Sequence, residues 1–211
     1  MPKVTVITLC FNYGHYLVEC LESVQAQTFK DFEHIVINSG STDNSSEVAR
    51  QYPIRLTEIE DRGLSSSRNH GVNLASGEYI VNLDADDTIH PQFLEKMVAK
   101  AASKTVVAPM LYGCNFTIQD IELANQVICC SMFCKNDFDA VGGYDPDLDW
   151  IGLEDWSLWC RLKKYGCNFV GAPEAQFYYR IHEGSSSKRL AHTDSVRYPY
   201  VIAKNIAWQP R

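Results

Sequence analysis

Three carboxylates crowd into four residues, Asp84-Ala85-Asp86-Asp87, straight after the apolar run Tyr79–Leu83. Acids that close repel one another unless water, a proton or a cation intervenes. A solvated acidic turn meets that requirement, and so does a divalent ion. Position favours the ion: open α/β sheets gather ligands beyond the carboxyl ends of their strands, and hard oxygen donors there suit Mg²⁺ or Mn²⁺. A second acidic pair, Glu154-Asp155, opens an amphipathic stretch. Acids in a first helical turn stabilise the helix dipole by about 0.3–1 kcal/mol. A carboxylate is also the simplest general base for a hydroxyl, and the two uses are compatible. The eight cysteines form no C-x-x-C pair and sit mostly in apolar runs. They therefore read as buried free thiols, neither a zinc cluster nor a disulfide framework.

The elements that must hold these groups alternate along the first 110 residues. Val4–Leu9 is a β-branched run of the kind a strand buried on both faces requires. Leu17, Cys20, Leu21 and Val24 then recur at helical spacing. His34–Asn38 reads as a second strand, closed by the turn-rich Ser39–Asp43, and Arg55–Glu58 as a third. A helix is predicted over Leu64–Ala75, with Gly77 at its end, and a fourth strand over Tyr79–Asp84. Pro91 suits the first turn of a helix running to about Ser103, before a fifth strand at Thr105–Met110. Strands separated by helices imply right-handed crossovers and a mostly parallel sheet. Later, Gln126–Phe133 and Ala175–Ile181 read as strands, and Glu154–Tyr165 as a helix stopped by Gly166. The expected architecture is a single α/β domain. Residues 1–110 form its nucleotide-binding half, residues 111–189 a mixed half that completes the sheet, and residues 190–211 a tail without clear period. That tail either docks on the core or joins a longer chain.

Composition narrows the partners. The 211 residues are 45% hydrophobic and 21% charged, with 19 Lys+Arg against 26 Asp+Glu and a net charge of −7. That balance lacks the basic footprint of a nucleic-acid binder. No apolar run reaches the ~18 residues of a membrane span, and the start does not read as a secretion signal. A cytoplasmic setting is the expectation.

Five motifs in one order resemble the inverting, family 2 glycosyltransferases of the GT-A fold. They are Gly40-Ser41-Thr42-Asp43, Arg68-Asn69-His70-Gly71 and Asp84-Ala85-Asp86 with its preceding Gly77-Glu78-Tyr79-Ile80. Then come Val141-Gly142-Gly143-Tyr144-Asp145 with Glu154-Asp155-Trp156, and last Tyr179-Arg180-Ile181-His182 with Ser185 and Ser187. The resemblance covers residues 4 to about 188. It implies a GT-A fold, a UDP-linked or related nucleotide-sugar donor, a hydroxyl acceptor on a glycan or other molecule, and Mn²⁺ or Mg²⁺ as cofactor. Asp86 would be the principal metal ligand, with Asp84 on the ribose or a metal-bound water. His182 would be a further ligand, or else an ordinary hydrogen-bonded loop residue. Thr8, Phe11, Asn12, Asn38 and Arg68 would line the nucleotide site with Asp84 and Ala85, Arg68 donating to a base carbonyl. Asp155 would be the general base, with Glu154 positioning the acceptor. Lys188 and Arg189 would either add charge at the phosphates or form a solvated loop. Trp156 and Trp159 read as core. Where the family usually carries an acid pair after the second strand, this chain has Asn38-Ser39. An amide can still accept from a uracil N–H, without the help of a full charge, so a broader base preference stays open.

Other classes fit less of the chain. Asp84-Ala85-Asp86-Asp87-Thr88 also matches the D-x-D-x-T of haloacid dehalogenase-like phosphatases. Those carry it on their first strand and follow it with an acidic G-D-x-x-x-D loop, which this chain lacks. No G-x-G-x-x-G follows any strand, against a dinucleotide oxidoreductase. The residues after the first strand are not the Gly-rich loop of a pyrophosphorylase. A non-catalytic sugar-nucleotide or glycan-binding module of the same fold is the alternative from another class.

Overall fold

The computed structural model describes residues 1–111, 121, 125–149, 152–183 and 194–208. Strand β1 (Val4–Cys10) is buried at every position. It runs parallel between β2 (Phe32–Ser39) and β4 (Tyr79–Asp84), with β3 (Arg55–Ile59) beyond β2. Helices α1 (Gly14–Gln25), α2 (Ser45–Ala49), α3 (Leu64–Leu74) and α4 (Phe93–Val98) make or flank the crossovers. One face of the sheet sets Val4, Val6, Val81 and Leu83 against Cys20, Val24, Phe93 and Met97. The other sets Ile7, Leu9, Ile35, Ile37 and Ile80 against Val72, Leu158 and Trp159. Burial on both faces explains why the strands read as unbroken apolar runs, not as alternating ones.

The second half turns the sheet mixed. After β5 (Thr88–Ile89) and β6 (Thr105–Leu111), β7 (Met132–Cys134) pairs antiparallel with both β4 and β6, and β8 (Asn168–Tyr178) pairs parallel with β6. The resulting sheet has eight strands in the order β3-β2-β1-β4-β7-β6-β8-β5. Helices α5 (Lys135–Val141) and α6 (Glu154–Lys164), a single 3-10 turn at Pro146–Leu148 and α7 (Asp194–Ala207) complete it.

Two local features aim the functional loops. Gly71 lets α3 lie directly on β1, since a Cβ there would meet Ile7 Cγ2 at 2.6 Å, and this holds Arg68 over the strand ends. In β8 the register jumps: Pro109 faces Ala172, but Met110 faces Gln176. The displaced end of β8 then pairs with β5, Phe177 opposite Ile89 and Tyr178 opposite Thr88. Residues 179–182 therefore emerge beside the acidic turn at 85–87.

Several expectations are revised. The helix after Pro91 is shorter, Phe93–Val98, because Pro91 and Gln92 form the turn before it and the chain turns again after Val98. Of Gln126–Phe133 only Met132–Phe133 is strand. The preceding residues form a loop held by Trp159 Nε1, which donates to the Val127 carbonyl at 2.9 Å. Strand β8 begins at Asn168, seven residues before the expected start, because Gly171 and Pro173 mask its pattern. The tail is helical over Asp194–Ala207 despite Pro199 within it. Val201 of α7 packs on Leu148, Trp156 and Cys160, while Lys204 pairs with Asp145 at 2.7 Å. Seven cysteines are free thiols, six of them buried; Cys114 lies outside the described residues.

Candidate active site

Strand β4 delivers Asp84, and a tight turn follows, with the Asp87 amide donating to the Asp84 carbonyl at 3.1 Å. The turn sorts the acids. Asp87 points inward and accepts from the Arg180 amide at 2.8 Å; burial first, then the charge on Asp84, push its carboxyl up to about 8. Asp86 meets His182 Nε2 at 2.9 Å. Burial and the neighbouring Asp84 raise the Asp86 carboxyl above its usual range, against the hydrogen bond from His182.

The segment carrying His182 is fastened at several points. Arg180 Nε donates to the Asp86 carbonyl at 2.8 Å, and its guanidinium pairs with Glu19 and lies 4.8 Å over the Tyr16 ring. The His182 ring rests against Tyr13 and Tyr16, with centroids 5.5 and 5.1 Å away. Among the described residues no three His, Cys, Asp or Glu side chains converge as a metal cage. Asp86 and His182 supply two donors side by side. That fits a dication shared with a diphosphate, which usually takes one or two protein ligands and fills the remaining positions with phosphate oxygens and water.

Behind the turn, Arg68 joins the two acidic regions. Its guanidinium, 3% exposed, donates to Asp84 Oδ1 at 3.0 Å and to Glu154 Oε1. Burial alone would favour losing the charge, but Asp84 and Glu154 outweigh it and hold Arg68 fully protonated. The Tyr144 ring lies 5.6 Å from the guanidinium, within cation–π range. The next residue, Asn69, clamps the Tyr144 backbone from both sides, donating to its carbonyl at 2.9 Å and accepting from its amide at 2.8 Å. Gly143 turns there with φ +72°, and a Cβ on it would sit 2.8 Å from Asn69 Oδ1. Asn82 of β4 donates to the Tyr144 hydroxyl at 2.8 Å. Three of the sequence motifs are thus one buried polar brace.

Asp155 stands beside Glu154 on the first turn of α6. Burial first, then the Glu154 charge, push its carboxyl up to about 7, while Arg68, the Trp156 amide and Asn125 pull it down. Asn125 Nδ2 donates to both Asp155 oxygens, at 3.3 and 3.4 Å. A partly buried carboxylate with its midpoint near neutrality is suited to taking a proton at physiological pH. Cys129 completes this region, its thiol 3.5 Å from Asp84 Oδ2.

The residues expected at the nucleotide divide. Phe11 is half exposed at the rim. Thr8 does not reach the crevice: it is fully buried and its hydroxyl meets His34 Nε2 at 2.9 Å, because it falls on the inward face of β1. Asn12, in left-handed backbone (φ 57°), accepts from the Thr42 amide at 2.8 Å, while its own amide donates to Ser41 Oγ. Asn38 donates to Ser46 Oγ at 2.6 Å and accepts from the Ser41 amide at 3.3 Å. Ala85 is buried, and its N–H goes to the Leu9 carbonyl. The expected donation from Arg68 to a base gives way here to two carboxylates. Trp156 and Trp159 are core, as expected. Ser185, Ser187, Lys188 and Arg189 lie outside the described residues, as does most of the 111–125 stretch. Asn125, Cys129, Tyr13 and Tyr16 carried no sequence signal, being single residues outside any repeating motif.

The mixed sheet, the acidic turn at the end of β4 and helix α6 beside it have the GT-A architecture. Solved structures agree. Staphylococcus aureus TarS 1–349 in complex with UDP-GlcNAc matches with a TM-score of 0.75 at 18% identity, over 97% of this chain and 66% of that one. The mannosyltransferase PcManGT from Pyrobaculum calidifontis, in complex with GDP-Man and Mn²⁺, matches with a TM-score of 0.72 at 18% identity, over 98% of this chain and 73% of that one. The sequence profile of glycosyl transferase family 2 matches residues 5–148, and the chain belongs to that family. A second profile, the N-terminal domain of galactosyltransferase, matches residues 113–184. Glycosyltransferase GlyA of Streptococcus pneumoniae is 40% identical over 103 residues, which are 46% of this chain and 15% of that protein. The chain thus spans a small part of such a relative's length. Among the described residues no helix is long and apolar enough to cross a membrane.

Proposed function

We propose that this chain is a metal-dependent, inverting glycosyltransferase domain that moves a sugar from a nucleotide sugar, UDP-linked in the first instance, to an acceptor hydroxyl. The observation that carries this reading is Arg68, which ties the acidic turn after β4 to the first turn of α6. A donor-side acid and an acceptor-side acid are thereby held on one guanidinium, with Asp86 and Asp155 beside them in sequence. The UDP and GDP-Man complexes of TarS and PcManGT support a nucleotide-sugar donor.

In this reading Asp86 and His182 would hold Mn²⁺ or Mg²⁺, and Arg68 keeps Asp84 in line. When bound, the dication supplies charge neutralisation for the departing nucleotide. Asp155, ionised, accepts the proton of the attacking hydroxyl, and Glu154 is held on the Arg68 guanidinium. The Tyr13–Tyr16 rings steady His182, and Phe11 offers an apolar rim to the base. Attack from the side opposite the leaving nucleotide inverts the anomeric carbon.

The test is release of UDP from UDP-hexoses with and without Mn²⁺. Metal-dependent release that disappears in Asp86→Ala supports the enzyme. Tight metal-dependent binding without release, under any acceptor tried, would instead identify a binding module.

A further inference from the structure

Among the described residues, Asn125 is the one side chain outside the sequence motifs that donates a hydrogen bond to Asp155. It sits in the loop before β7, and its Nδ2 spans both oxygens of Asp155 at 3.3 and 3.4 Å. An ionised carboxylate only accepts, so the amide must turn its NH₂ toward Asp155. That leaves Asn125 Oδ1 buried, and it has no hydrogen-bond partner among the described residues. A buried oxygen without a donor is costly and rare enough to call for a reason. Glu154 Oε2 and Arg68 Nε are unpartnered in the same neighbourhood, so the brace holds spare polar capacity where a substrate would sit.

We propose that Asn125 is the positioning residue of the general base: its NH₂ fixes the direction of the Asp155 carboxylate, and its Oδ1 accepts a hydrogen bond from a hydroxyl of the incoming acceptor. The inference rests on the reading of Asp155 as base. Two physical effects follow. The amide stabilises the charged form of Asp155, so its removal raises the carboxyl's titration midpoint. The lone pair that takes the proton also loses its fixed direction, and misaligned proton transfer is slow. Among the described residues, the other charged or titratable groups that act on Asp155 are Glu154 on its own helix, Arg68 on α3, Tyr144 after α5 and Cys129 in the Asn125 loop. All four are unchanged by substitution at 125, so a shift is assignable to the amide.

The experiment compares wild type, Asn125→Ala and the near-isosteric Asn125→Asp, each titrated by carboxyl carbon NMR with Asp155 identified by its absence in Asp155→Asn. In parallel, UDP release is measured from UDP-glucose, UDP-galactose and UDP-GlcNAc with Mn²⁺ and water as acceptor. The Asp155 midpoint should rise by about half a unit or more in Asn125→Ala, and further in Asn125→Asp, where a second acid replaces the donor. UDP release should fall about tenfold or more while UDP affinity stays within about twofold. If Asn125→Ala does not fold, Asn125→Asp carries the same expectation with a larger shift. An unmoved midpoint with unchanged release overturns the inference. Undiminished release in Asp155→Asn overturns it by a different route, because the base itself is then misassigned, and a midpoint shift at Asn125→Ala would distinguish the two failures.

Discussion

The two rims of the crevice are built on opposite principles. On one side the loops after β1 and β2 satisfy one another: Asn12 with Ser41 and Thr42, Asn38 with Ser41 and Ser46, Asp43 with the Gly14 amide. Around Arg68 the opposite holds. Arg68 Nε, Asn82 Oδ1, Asn125 Oδ1 and Glu154 Oε2 are buried without partners among the described residues. The first rim is finished as folded, whereas the centre carries polar atoms that a ligand can complete. Unsatisfied buried groups are costly, and four of the seven such atoms among the described residues lie around Arg68.

The sharpest way to break this contrast is Asp155→Asn. Transfer should fall about 10²–10⁴-fold, with donor binding retained. The same substitution probes stability. The folded carboxyl sits near 7, above its unfolded value of about 4, so the native state holds the proton more tightly. Its contribution is therefore favourable at low pH and is lost as pH rises from about 4 through 7. Asp155→Asn should raise the melting temperature relative to wild type more at pH 8 than at pH 4.5, and wild-type turnover should climb through a midpoint near 7.

Next in size is Arg68→Met, which strands two acids. Losing one partner of a buried ion pair costs about 3–5 kcal/mol, and chemical denaturation should show a loss of that order, with donor turnover abolished. Gly143→Ala forces a side chain into left-handed backbone against Asn69 and Phe138; a loss of about 1–3 kcal/mol is expected. The smallest effect belongs to the finished rim. Asn38→Ala removes one internal hydrogen-bond pair and should cost about 1 kcal/mol while changing UDP affinity by less than about threefold. A large affinity loss there would show that the rim reads the base directly.

The same contrast explains what the sequence disclosed. Strands β1, β2 and β4 are buried on both faces, so each announces itself as a continuous apolar run. The acids at 84–87 and 154–155 were legible because their spacing is unusual and each sits at the mouth of an element. Gly171 and Pro173 interrupt the pattern of β8, and Pro199 breaks the short helical period of α7, so neither element announces its extent. Arg68 was recognised, but its true partners lie 16 and 86 residues away, a pairing fixed by the α3–β1 contact and not by local pattern. Asn125 left no trace at all: one amide in an irregular loop acquires meaning only once α6 is laid beside it.

Calorimetric titration of UDP into the wild-type chain and Asp86→Ala, each with Mn²⁺ and again with excess chelator, tests the account most directly. Binding should be strong only for the wild type with Mn²⁺, falling at least tenfold in the other three conditions. Equal affinity in chelator, or undiminished Mn²⁺-dependent affinity in Asp86→Ala, would contradict it.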